Sequence, residues 1–152
     1  MSRVSREQIL DPETSVLLHE IVRFTEQDKQ IVELARIDFS DPREFLQGAI
    51  IEMPANHSFR AHVHLERERS FSNLRAQESW VVIRGQVEVD YFTESGNLLR
   101  TAILNAGDIT ISFRGGHGYR TKSEDAVVYE FKSGPYEGLE IDKRFINAGV
   151  EN

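Results

Sequence analysis

The chain has 152 residues, with 18 Lys and Arg against 25 Asp and Glu for a formal charge of −7. That length suits one domain, 1–152, that buries roughly two-thirds of its unfolded surface. The acidic balance excludes a sequence-independent grip on nucleic acid, which needs a basic stripe to displace counterions from phosphates. With no Cys in the chain, disulfides, thiolate metal sites and cysteine nucleophiles are excluded as well.

Residues 1–20 carry Arg3, Arg6, Glu7, Asp11, Glu13 and Glu20 and hold no uninterrupted apolar stretch of signal-peptide length. Runs such as Ala49-Ile50-Ile51 fall far short of the roughly 20 residues that span a bilayer. The expectation is a cytoplasmic protein with no membrane partner.

In chain order, Asp11-Pro12-Glu13 offers an N-cap and a first-turn Pro to residues 16–24, whose apolar spacing fits helix and strand equally. Residues 30–39 and 46–53 read as strands, with Asp41-Pro42-Arg43-Glu44 a turn between them. A further strand is predicted over 59–64. The clearest signal is 80–92, where Val87, Val89 and Tyr91 alternate with polar residues to make a half-buried strand. Turn chemistry at 93–97 leads to a return strand over 98–104, and Asn105-Ala106-Gly107-Asp108 leads to another over 109–113. With a last strand over 126–132 there are about eight, and short strands spaced by turns imply an antiparallel β-barrel or jelly roll.

Chemistry-bearing residues gather at His62, His64, Glu78 and His117. On a strand, residues two apart share a face, so His62 and His64 are expected to project together with Arg60. Two imidazoles so placed can chelate a first-row metal, and they can equally be an exposed or merely hydrogen-bonded pair. Glu78 is in phase with Trp80 and Val82. His117 sits in Gly115-Gly116-His117-Gly118, where glycines let the backbone turn closely.

These residues resemble the cupin superfamily. His62-x-His64 and Glu78, with six residues before Gly85, look like its first motif, and Gly107 with Phe113-Arg114-Gly115-Gly116-His117 like its second. Here 13 residues separate His64 from Glu78, and Phe113 stands where the second motif has Pro. Gln77-Glu78-Ser79-Trp80, Tyr129-Glu130-Phe131-Lys132-Ser133-Gly134-Pro135-Tyr136 and Asp142-Lys143 are similar to a little-characterised group of small bacterial cupins, some accompanying surface-polysaccharide genes.

The resemblance implies an all-β cupin-type antiparallel barrel (a double-stranded β-helix) with its core over about 46–132 and N- and C-terminal extensions. It also implies frequent homodimers and a divalent metal, Zn, Fe, Mn, Ni or Co alike, held by His62, His64, Glu78 and His117. The expected activity is that of an enzyme acting on a small polar metabolite, a sugar or sugar nucleotide, by isomerisation or epimerisation. Two alternatives stand beside it, a binding module that turns nothing over and a metal-free cupin with His117 as the base.

In the first reading Glu130 and Tyr119 are the acid–base candidates, because a carboxylate among apolar strand neighbours is costly unless paired. Arg60, Trp80 and Arg75 are the substrate-binding candidates. The segment 65–77, with its run Glu66-Arg67-Glu68-Arg69, reads either as a solvated loop or as a lid whose arginines clamp an anion. Surface is expected for His57, and no ligand role for His19.

Overall fold

The computed structural model describes residues 4–25, 30–64, 75–133, 138 and 143–146. Eight strands are found among them: β1 Val4–Leu10, β2 Leu17–Phe24, β3 Ala35–Asp38, β4 Ala49–Glu52, β5 Glu78–Phe92, β6 Leu98–Asn105, β7 Ile109–Ser112 and β8 Gly116–Lys132. No helix occurs among the described residues. All pairings are antiparallel. Six strands form one curled sheet, a half-barrel, in the order β1-β2-β7-β5-β6, with β8 lying along β5; β3 and β4 form a separate ribbon.

The stretch 16–24, open between helix and strand, is a strand. Asp11 does not cap a helix; its Oδ1 accepts from the backbone N–H of Glu13 (3.0 Å) and of Thr14 (2.9 Å), while Asp11 N donates to the Val16 carbonyl (2.8 Å). An Asp side chain that satisfies the next two or three amides makes a tight turn, and here the turn closes the β1–β2 hairpin.

The strand predicted over 59–64 is not formed. Its apolar Phe59 and Val63 stay 55% and 84% exposed, and among the described residues no strand pairs with it. Alternation alone does not hold a strand without a partner ladder. The lid reading of 65–77 falls mostly on residues 65–74, which lie outside the described set, as does the turn Gly134-Pro135-Tyr136.

β5 organises the sheet. β8 pairs with it along nearly its full length, while β7 and then β6 take its other edge. Between its two halves the register shifts at Val82/Arg84 and again at Gly85/Val87. Gly85 has φ 77°, and a Cβ there would lie 2.2 Å from the Asp125 carbonyl oxygen, so glycine alone fits. Paired bulges bend a strand sharply, and this bend folds the two halves of the β5–β8 ribbon toward each other.

Two cores result. The concave face packs Ile9, Ile21, Val82, Val87, Val89, Tyr91, Ala102 and Leu104. The opposite face packs Val4, Val22, Ile111 and Phe113 against Phe39, with Ile37 and Ile50 of the β3–β4 ribbon beside them. β2 is therefore covered on both sides, and its charged Glu20, fully buried, is held by Arg6, which also donates to the Phe39 carbonyl (2.7 Å).

Candidate functional site

At one end of the concave face, four polar side chains from four strands form a single chain of contacts. His19 of β2 donates from Nε2 to the Phe92 carbonyl (3.0 Å), and its Nδ1 lies 2.9 Å from Ser112 Oγ of β7. The same Ser112 Oγ lies 2.9 Å from His117 Nδ1 of β8. His117 Nε2 is 3.2 Å from Glu78 Oε1 of β5.

Register explains the convergence. Ser112 is the cross-strand partner of His19 on one side and of Glu78 on the other, so the three side chains leave the sheet in one row. Gly115 makes the approach possible: with φ 77°, a Cβ there would lie 2.4 Å from the Phe92 carbonyl oxygen and 2.8 Å from His19 Nε2.

The environment sets the charges. His19 is fully buried, and desolvation pushes its imidazole down to about 4, with the charge of His117 acting in the same direction. Burial raises Glu78, but the hydrogen bond and charge of His117, with Lys143 and Lys132 nearby, outweigh it and leave the carboxyl below its ordinary range. Glu78 is thus a carboxylate at neutral pH.

Beside this row stands Tyr119. Its ring stacks on Trp80 at a centroid separation of 3.7 Å and an interplanar angle of 7°, and tilts against His117 at 5.0 Å. Trp80 pairs across the ladder with Glu130 and Tyr119 with Val89, so the bend at Gly85 is what brings the two rings together. The Tyr119 hydroxyl is buried and makes no hydrogen bond of ordinary geometry among the described residues, with Ser112 its polar neighbour. Desolvation, with Glu78, Tyr91 and Glu130 nearby, holds it well above 10, so it remains a proton donor.

Of the sequence-predicted residues, the structure brings together Glu78, His117, Tyr119, Trp80 and Glu130. Glu130 is on the concave side with Trp80, yet it is exposed, and its Oε2 accepts the Trp80 indole N–H (3.0 Å). The other strand face, with Tyr129 and Phe131, points outward.

His62 and His64 lie in an exposed irregular segment, their rings 5.2 Å apart, and His62 Nδ1 bonds to the Arg60 carbonyl (3.0 Å). Arg60 is exposed in the same segment. Arg75 is exposed and ion-paired to Glu94.

Among the described residues no three His, Asp or Glu side chains group so as to hold a metal ion. Sequence reasoning missed His19 and Ser112. Neither carried a signal of its own, since each stands out only once β2 and β7 are seen to pair. No family model, curated protein or solved structure matches the chain.

Proposed function

We propose that this end of the half-barrel binds a small polar metabolite, a sugar or sugar nucleotide, and moves protons on it in the manner of an isomerase or epimerase. The observation that carries the reading is the buried Tyr119 hydroxyl, which makes no hydrogen bond of ordinary geometry, beside the Glu78–His117 pair. A buried hydroxyl without a partner costs roughly 1–3 kcal/mol, and a polar group of a ligand would supply the missing bond.

In this reading His117 and Glu78 exchange one proton with the ligand and Tyr119 supplies the other. The stacked Trp80 and Tyr119 rings offer the apolar surface that a sugar face takes. Glu130, the acid–base candidate of the sequence, instead orients the Trp80 indole. The resemblance to small cupins supports the carbohydrate class, a complete cupin jelly roll and a cytoplasmic setting, to which the absence of Cys also lends support. The outer edge of β8, on which no strand pairs among the described residues, and the exposed Tyr129 and Phe131 support a homodimer.

A second reading has an observation of its own. Both His117 nitrogens already have partners, which suits a binding module as well as a catalyst. Incubation in D2O with nucleoside-diphosphate keto-sugars separates the two, with proton washout at the carbon beside the carbonyl followed by NMR. Washout that Glu78→Gln abolishes is the expected result. Binding without washout leaves the module, and neither binding nor washout overturns both.

A further inference from the structure

We infer that His19, acting through Ser112, fixes the hydrogen of neutral His117 on Nδ1 and leaves Nε2, which faces Glu78, without one. The assignment follows from what each partner can and cannot do, taken from the closed end of the row outward.

The Phe92 carbonyl only accepts, so His19 Nε2 carries a hydrogen. His19 is fully buried, and its two ring contacts are a backbone carbonyl and a serine hydroxyl, neither an anion. A buried imidazole with no counter-charge is neutral, so its one hydrogen is spent on Phe92 and its Nδ1 is a bare acceptor. Ser112 has a single proton and two imidazole Nδ1 atoms at 2.9 Å. Bare Nδ1 of His19 takes that proton, and the Ser112 oxygen is left as an acceptor toward His117. His117 Nδ1 must then donate.

The opposite arrangement fails at the buried end. If neutral His117 held its hydrogen on Nε2, Ser112 would have to donate to His117 Nδ1. The bare Nδ1 of His19 would then face an oxygen lone pair at 2.9 Å with no proton between them, inside a fully buried contact. Glu78 on its own would favour that opposite arrangement, because a carboxylate draws the neutral ring's hydrogen to Nε2. His19 and Ser112 are therefore positioning residues that override the pull of Glu78. The 3.2 Å contact between Nε2 and Oε1 becomes the one place in the row where a proton is not pinned by a fixed donor.

The inference rests on the proposed reading only in treating His117 as a working proton carrier; the position of the hydrogen stands apart from any substrate. It is tested on the full, ligand-free chain labelled with 15N-histidine, by long-range nitrogen–proton correlation NMR through and above the histidine titration range. His19 is expected in its Nε2–H form throughout. Neutral His117 is expected with its hydrogen on Nδ1 and none on Nε2. Ser112→Ala should interchange the shifts of the two His117 nitrogens in the neutral ring, and Ser112→Thr, which keeps the hydroxyl, should restore the original pattern. A neutral wild-type His117 protonated on Nε2 with bare Nδ1 overturns the assignment, and so does a Ser112→Ala spectrum unchanged from wild type. Should the alanine variant not fold, the wild-type spectrum decides alone. Failure here leaves sugar binding and washout untouched, and their failure leaves the tautomer standing.

Discussion

A fully buried histidine makes the fold sensitive to mild acid. Because the folded state holds His19 at about 4 against an ordinary 6.5, the unfolded chain takes up the proton first as pH falls. Stability is thus fully present above 6.5 and declines through the window down to about 4, by roughly 3 kcal/mol for a shift of that size. Glu78, held below its ordinary 4.5, contributes stability that is lost only below that value, so the upper part of the window belongs to His19. Urea midpoints measured across this range should fall for the wild type. His19→Phe should lower stability at neutral pH, by leaving Ser112 and Phe92 without their bonds, while flattening the dependence; an equally steep decline in the variant would assign it elsewhere.

At the level of the strands, legibility followed how each one is covered. β5 and β6 were read from alternation, since one face is more buried than the other, and β7, buried on both faces, from the turn residues before it. β2 was not, because His19, Glu20, Ile21 and Val22 are all fully buried between the two cores, and a strand covered on both faces has no period of two to see. With β2 undecided, the His19 end of the row was invisible, and Ser112 had no reason to stand out. The converse error is 59–64, where alternation existed without a partner. Glu78 and His117 were singled out through a resemblance to a motif; Tyr119 and Trp80, from the two halves of the β5–β8 ribbon, meet across the bend at Gly85. The other hinge of the site, Gly115, carries a direct test. Gly115→Ala forces a left-handed residue and a Cβ into the Phe92–His19 bond, and is expected to cost about 2 kcal/mol or more in urea unfolding. A loss of a few tenths would show that the turn relaxes freely.

For the whole molecule, the side of β8 away from β5 is the edge that matters, since among the described residues no strand pairs there. Val127, Tyr129 and Phe131 on the outward face are 36%, 58% and 54% exposed. An uncovered edge with apolar neighbours invites a second chain. Sedimentation at micromolar concentration should give about twice 17.4 kDa, and Tyr129→Glu with Phe131→Glu, both at exposed positions, should return the monomer. A wild-type species of 17.4 kDa would count against the homodimer.

The contact between His19 and Ser112 joins residues 93 apart in the chain. Hairpins such as β5–β6 close over short loops and form early, whereas a pairing across most of the sequence waits until that loop entropy has been overcome. The site is therefore among the last parts of the protein to exist during folding. A chain emerging from synthesis has its N-terminal β1–β2 hairpin first and must hold it unpaired until β7 appears, so the group that disciplines the histidine is made earliest and put to use latest.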